Sequence, residues 1–461
     1  MLFRPAARVG CLSPGSRFAA LACLLALGAW VPDVHAGAAP SSAPMLESPA
    51  LGDAGGLDEL LRFAVRHSPE LESSYQQWRA ALARVPQAGA LPEPQLSLGV
   101  MLDEVDRGSE YMGERYAISQ MFPWFGTLSL REDVATEEAR AAARRYETAR
   151  LELVERVTGA WYEYAWVHRA AATARENLAL LVQLESVARS RYRVGEVSQA
   201  DVNRAQLELG RADEQLRSLL DRLGPAGAAL NAELGRPAHA PLAAAPAPPS
   251  QLPHAPLPER DDAEWLALAL LYSPALAGAR HEAAREAHAI ELAQRSYYPE
   301  LTFGLEYARG GGARMARMDG GGRDAVVGML SVSVPIRHKR YDAGVQEARA
   351  RHLAASRAAQ GRERSLEAEL KNALFSYRDS GRKMELYGGT LLPKARQALA
   401  STEAAYRTGE AGFLDLIDTQ RMALELALAH ERAAADRAQA AARVRTLVGE
   451  PPAGPAGEMH P

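Results

Sequence analysis

The sequence predicts an α+β membrane protein in which long antiparallel coiled-coil helices build the wall of an α-barrel and four short strands cross a bilayer. The four transmembrane β-strands of one chain close as a 12-stranded β-barrel only in a homotrimer. Three observations predict this. The 461-residue chain repeats itself, its longest segments carry an apolar period near 3.5, and its strand-like segments alternate greasy and polar residues over a tilted bilayer crossing.

Composition sets the frame. Hydrophobic residues make up 47% of the chain but aromatics only 6%, so alanine, a strong helix former, carries much of the apolar content in place of bulky core residues. The 53 basic and 57 acidic residues leave a formal net charge of −4. No basic field is available to hold a phosphate backbone, which excludes nucleic acid as a partner. Two cysteines, Cys11 and Cys23, make neither a disulfide framework nor a thiolate metal site.

The N-terminus reads as a signal peptide over 1–36, followed by a flexible segment over 37–56. Arg4, Arg8 and Arg17 precede the apolar run Phe18 to Val31, and Val34-His35-Ala36 offers a signal-peptidase site. The run has 14 residues, short of the roughly 20 that a membrane-spanning helix needs, and no later stretch is longer. Lipidation at Cys23 is the competing reading. Leu24, Leu25 and Leu27 carry the apolar run past that cysteine, however, and Ala20-Leu21-Ala22 is a poor lipoprotein box.

Beyond this segment the chain is two copies of one plan, 57–235 and 262–448, joined by a Pro/Ala-rich linker over 236–261 and followed by a flexible tail over 449–461. Ser68-Pro69 with Leu71 recurs as Ser273-Pro274 with Leu276, and Pro94-x-Leu96-x-x-Gly99 recurs as Pro299-x-Leu301-x-x-Gly304. Further on, Tyr192-Arg193-x-Gly195-Glu196 with Asp201 and Gln206 recurs as Tyr406-Arg407-x-Gly409-Glu410 with Asp415 and Gln420.

Each copy is expected to run helix, strand, strand, long helix, helix. The first has helices over 57–90, 129–191 and 198–234 with strands at 94–104 and 114–123; the second has helices over 262–297, 341–407 and 413–448 with strands at 299–309 and 323–335. Leu153, Val157, Ala160, Tyr164, Val167, Ala171 and Ala174 step by threes and fours, as do Leu366, Leu370, Ala373, Tyr377 and Ser380. That spacing imposes left-handed coiled-coil packing. A long helix of roughly 95 Å matches two short ones of about 105 Å in sum, so two short helices stacked end to end can flank one long one. Gly388-Gly389 and Pro393 predict a bend in the second long helix.

In 299–309, Leu301, Phe303, Leu305 and Tyr307 alternate with Glu300, Thr302, Gly304 and Glu306; in 94–104, Leu96, Leu98, Val100 and Leu102 alternate with Gln95, Ser97, Gly99 and Met101. Phe122, Trp124, Phe125, Tyr297, Tyr298 and Tyr341 collect where strands meet helices, as an interfacial aromatic belt does. An open sheet in hydrocarbon leaves edge groups unsatisfied at several kcal/mol each. Closure therefore needs other copies, with loops 105–113 and 310–322 outside the cell.

At the opposite end, the turns Val194-Gly195-Glu196 and Thr408-Gly409-Glu410 are expected to form the tips of the tube. Asp415 and Asp418, spaced to share a helix face, would make two stacked carboxylate rings at the periplasmic gate of a trimer; Asp201, the counterpart of Asp415, is expected at the same gate, with Arg204 in place of a second carboxylate. Such rings select cations and can hold a divalent plug. The competing reading makes Asp415 a helix cap and leaves Asp418 solvated.

The duplicated plan, the Ser-Pro-x-Leu segments at Ser68 and Ser273, the Phe122-Pro123-Trp124-Phe125-Gly126 corner and the Tyr-x-x-Gly turns at Tyr192 and Tyr406 together resemble the TolC-type outer-membrane efflux channels. The corner is similar to the branch serving heavy-metal pumps. The resemblance covers about 57–448 and implies a homotrimeric passive duct in the Gram-negative outer membrane that extends into the periplasm. It also implies two partners, a periplasmic adaptor (membrane fusion) protein that docks at the tips and a proton-driven inner-membrane efflux transporter. Members carry acidic rings at positions matching Asp415 and Asp418. Some also place a closing arginine where this chain has Ala411 and Gly412.

No His-Glu-x-x-His, Walker, Gly-x-Ser-x-Gly or Rossmann signature occurs, so no enzyme, cofactor or metal site is expected. His281 and His288 read as solvent-facing, and Met101, Met112, Met121, Met315, Met318 and Met329 as barrel fillers. Arg337-His338-Lys339-Arg340 reads as a snorkelling anchor. A periplasmic coiled-coil scaffold or adaptor without a pore is the alternative function; it would give neither a heat-stable outer-membrane trimer nor conductance.

Overall fold

A computed structural model describes residues 56–100, 114–242, 249–251, 256–309 and 325–450, all within one compact unit, Gly52–Pro461. The segment expected to be a signal peptide, both strand-connecting loops, parts of the linker and residues 451–461 of the tail lie outside the described residues, as do Met101, Met112, Met315 and Met318.

The first copy contains α1 (Leu57–His67), α2 (Pro69–Gly89), β1 (Gln95–Val100), β2 (Glu114–Phe122), α3 (Thr127–Arg193) and α4 (Gln199–Glu233). The second contains α5 (Asp262–Tyr272), α6 (Pro274–Arg295), β3 (Glu300–Arg309), β4 (Ala325–Ser333), α7 (His338–Glu385), a π-helical turn (Leu386–Leu391), α8 (Leu392–Thr408) and α9 (Phe413–Val448). A short 3₁₀ turn, Pro249–Gln251, lies in the linker.

The first helix of each copy is two helices, where the sequence suggested one. The break falls at Ser68 and Ser273, because the following proline has no N–H to continue the ladder and restricts its predecessor to extended backbone. Ser68 restarts the helix by accepting a hydrogen bond from the Leu71 N–H at 3.3 Å. A glycine seats each break. Gly235 and Gly449 end α4 and α9 at φ +68° and +84°, and a Cβ there would lie 3.1 Å from the His67 carbonyl oxygen and 2.5 Å from that of Tyr272. Only glycine satisfies both the backbone angle and the close approach.

Where a bend is expected in the second long helix, a π-helical turn interrupts the α-helix, with Pro393 in the first turn of α8. The His430 imidazole fills the widened backbone at Gly388, where a Cβ would sit 2.4 Å from the ring, and its Nδ1 lies 3.2 Å from the Met384 carbonyl oxygen.

Helix α3 has 67 residues, about 100 Å at 1.5 Å per residue. It packs against α2 and α6 towards the sheet and against α4 and α9 away from it, with α7 beyond α6 and α9. Two short helices therefore flank one long one. Because α3 has neighbours on both sides, it buries more than the single stripe the spacing suggested: Trp161, Tyr162 and Ala165 are buried alongside Val157, Tyr164 and Val167. The four strands form one antiparallel sheet in the order β1-β2-β3-β4, which follows the order α2-α3-α6-α7 beneath it.

Candidate functional site

The strand register sorts side chains onto two faces. Pairings such as Leu96 with Ile118, Leu98 with Tyr116, Phe122 with Leu301, Leu305 with Ile118 and Phe303 with Leu330 put the large apolar side chains on one face. Ser97 with Ala117, Ser119 with Gly304, Thr302 with Ser331 and Glu300 with Ser333 make up the other. Arg115 and Glu306 approach to 3.6 Å on that polar face. Leu96, Ile118, Phe303, Leu305 and Leu330 are more than half exposed, so the protomer presents a continuous greasy surface to whatever surrounds the sheet. Met121 and Met329 belong to the polar face.

Five of the six belt aromatics form two groups. Trp124 stacks on Tyr298 at 5.3 Å and meets Phe125 edge-on at 5.8 Å, while Tyr297 lies 5.6 Å from Tyr341 and 6.4 Å from His338. Phe122 meets Phe303 on the apolar face at 5.7 Å.

At the far end the two tip turns share a core of Leu184, Ala188, Ala205, Tyr406, Phe413, Leu416 and Ile417. Gly195 and Gly409 adopt φ +81° and +83°, the left-handed conformation that ends a helix. The Glu196 N–H donates to the Arg191 carbonyl at 3.0 Å, and the Glu410 N–H donates to that of Ala405 at 2.9 Å. Val194 is 71% exposed. The Thr408 hydroxyl donates to the Ala405 carbonyl at 3.0 Å.

Arg191 joins the tips, although no sequence motif singles it out. Its Nη1 donates to the Tyr406 carbonyl at 2.5 Å, its Nε donates to Glu196 at 2.9 Å, and its guanidinium lies 5.0 Å above the Tyr406 ring. Tyr406 is buried, and burial pushes its phenol above the ordinary value. A comparison of the copies position by position carries the signal, since Arg191 corresponds to Ala405.

The three carboxylates are held differently. Asp201 closes a capping box with Ser198: the Ser198 N–H donates to its Oδ2 at 3.2 Å and its own N–H donates to the Ser198 hydroxyl at 3.3 Å. Arg204 approaches it at 3.6 Å. Asp415 is exposed and accepts the Gly412 N–H at 3.1 Å, so it does cap its helix, through one of two oxygens. Asp418 is 61% exposed and 3.8 Å from Arg421, whose guanidinium is shared with Glu208.

His281 is only partly exposed and is engaged, with Nδ1 2.7 Å from buried Glu137, where a solvent-facing ring had been expected. No group of three or more His, Cys, Asp or Glu able to hold a metal occurs among the described residues.

The family model for outer membrane efflux protein matches residues 60–236 and 265–450. Protein CyaE of Bordetella pertussis is 27% identical over 307 residues, which is 64% of this chain and 64% of that protein, so the match spans slightly less than two thirds of the relative. The outer membrane protein VceC of Vibrio cholerae has the same fold at TM-score 0.71 and 20% identity, covering 86% of this chain and 96% of that one. So does the outer membrane channel MtrE of Neisseria gonorrhoeae in its open state, at TM-score 0.72 and 18% identity, covering 86% and 89%. With both copies matched over most of its length, this chain belongs to the outer membrane efflux protein family.

Proposed function

We propose that this protein is the outer-membrane duct of a tripartite efflux system, a homotrimer that exports heavy-metal cations or small toxic compounds passively from periplasm to exterior. One observation carries the reading: an open four-stranded sheet, greasy on one face and polar on the other, stands on a helical wall. The outer edges of β1 and β4 have no strand partner among the described residues, and in hydrocarbon those edges must be paired. Three copies give 12 strands, within the range of about 8 to 26 known for such barrels. The apolar face then meets lipid and the polar face lines the pore.

The tips face the periplasm. Val194-Gly195-Glu196 and Thr408-Gly409-Glu410 dock the adaptor protein, and the inner-membrane transporter delivers cargo through it. Around the threefold axis, Asp415 and Asp418 line the narrow end, while Asp201 serves its helix as a cap. Arg191 holds the two hairpins together, taking the place of the closing arginine that Ala411 and Gly412 leave out.

Purified protein should run as a heat-stable trimer from the outer-membrane fraction and give discrete single-channel currents in planar bilayers. Absence of both would establish the poreless scaffold. Gly195→Trp and Gly409→Trp should abolish efflux while trimer and conductance persist; full efflux in both would end the docking claim.

A further inference from the structure

A cavity of about 560 Å³ opens where the sheet meets the long helices, walled by the start of α3, one face of α6, the start of α7 and the ends of β3 and β4. Glu300 and Ser333, opposite each other in the β3–β4 register, lie at its upper edge. They belong to the polar face, so this edge of the cavity lies on the pore side of the proposed barrel, while Trp124, Tyr298 and Tyr341 of the aromatic belt line the rest.

Its charges do not balance. Arg131, Arg295 and Arg340 line it, and none has an ion-pair partner among the described residues. The other lining charges are occupied: Arg351 pairs with Glu347 at 2.5 Å, and Glu286 with Arg285 at 2.6 Å. Three free guanidiniums face one free carboxylate, that of Glu300. Elsewhere many of the wall's arginines are matched, as with Arg156 to Glu233 and Arg443 to Glu369, and those that are not do not converge on one cavity with an aromatic wall. The field is reinforced because α3 and α7 both begin here without an acidic residue in the first turn or a side-chain cap.

The cavity also has a flat apolar wall. Trp124 and Tyr298 stack within 17° of parallel at 5.3 Å, and the Arg295 guanidinium stands 5.7 Å from the Tyr298 ring. Planar forks that pair with anions beside an aromatic plate are complementary to a planar ring bearing anionic groups. The volume suits a drug-sized molecule.

We propose that this cavity binds planar aromatic anions, sulfonates, carboxylates or phosphates carried on a ring system, at the neck of the duct. The placement on the transport path rests on the channel reading above; the binding chemistry does not. One such pocket in each of three copies makes the neck attract anions, opposite in sign to the acidic tip, and adds this class to the cargo that the duct retains in passage.

The probe is 8-hydroxypyrene-1,3,6-trisulfonate, its fluorescence anisotropy read with the full-length protein in detergent. Saturable binding is expected, weakened about tenfold or more in the Arg131→Gln/Arg295→Gln/Arg340→Gln triple variant, severalfold in Tyr298→Leu, and not at all in Arg217→Gln on α4. Each single Arg→Gln change should weaken it about two- to threefold, which keeps the test alive if the triple variant fails to fold. Inorganic phosphate should compete poorly, because it cannot stack. In bilayers the same probe should block native current and spare the single variants in proportion. Conductance without binding or block overturns the pocket and leaves the duct standing. Binding without conductance overturns the duct and keeps the pocket. Equal loss in Arg217→Gln, or full competition by phosphate, reduces the effect to nonspecific charge and also overturns the proposal.

Discussion

The two tips carry the same Tyr-Arg-x-Gly-Glu motif in opposite settings. Tyr192 is 44% exposed, whereas its counterpart Tyr406 is 1% exposed beneath the Arg191 guanidinium. In the first copy Ser198 shares the capping with Asp201, and Arg204 stands beside the carboxylate. In the second, Gly412 has no side chain, Asp415 caps alone, and Asp418 replaces the arginine. Duplication therefore preserved the backbone turn and exchanged its surroundings. One tip became a self-satisfied cap, the other an exposed acidic end held by an arginine from its sibling.

The largest effects should fall where the copies remain alike. Arginine at Leu98 in β1 or at Phe303 in β3, both on the apolar face, should cost about 2–4 kcal/mol of folding or insertion free energy. Arginine at the neighbouring Ser97 or Thr302 should be tolerated in the wet lumen. Equal sensitivity of the two faces, read from heat-modifiable trimer on gels, would break the barrel reading for both copies at once.

Next come the paired glycines, which sharpen the contrast. Gly449→Ala meets backbone oxygen at 2.5 Å and Gly235→Ala at 3.1 Å, both at positive φ. The first should destabilise by about 2–3 kcal/mol and the second by about 1 kcal/mol, measured by denaturant unfolding. Arg191→Ala, which removes the hydrogen bond to the Tyr406 carbonyl and the cation–π contact, should cost about 1–2 kcal/mol and speed protease cleavage at residues 408–412. The reciprocal Ala405→Arg should not restore resistance, because its neighbour in the motif is the buried tyrosine.

The carboxylates test the asymmetry through function. Asp415→Asn with Asp418→Asn should reduce cation selectivity and divalent block in bilayers, whereas Asp201→Asn should leave both unchanged and cost about 1 kcal/mol through the weakened cap. Unchanged selectivity in the double variant would leave Asp415 as a cap alone.

The smallest effect lies at Glu137 on α3. Burial raises its carboxyl, but hydrogen bonds and charges from His281 and Arg140 outweigh that and hold it below the ordinary value of 4.5. A group depressed in the folded state stabilises above its unfolded value and loses that contribution as pH falls through the folded value. Glu137→Gln should therefore be less stable than the native protein at pH 6 and approach it below pH 4.5, as read by unfolding at each pH.

Much of this was legible from periodicity. The 413–448 helix matches α9 at both ends, and alternation in 94–104 and 299–309 anticipated which side chains share a face. The Ser68 and Ser273 breaks coincide with visible motifs but not with any change of pattern, because apolar spacing continues across them while the proline interrupts only the backbone ladder. Arg191, the seating of Gly235 and Gly449, and the His281–Glu137 contact connect residues far apart in sequence. A one-dimensional period cannot report which elements meet.

The claim that the four strands complete a barrel with two further copies is tested most directly by closing the ring covalently. Cys11 and Cys23 are the chain's two cysteines, both within the segment read as a signal peptide, so engineered thiols in the remaining chain report without competition. Cysteines at Ser97 on β1 and Ser331 on β4, both on the polar face, should cross-link between copies with a short flexible bismaleimide. A closed ring predicts covalent species that stop at three chains and keep conducting. Products that stay monomeric, or that extend in a ladder past three, would contradict it.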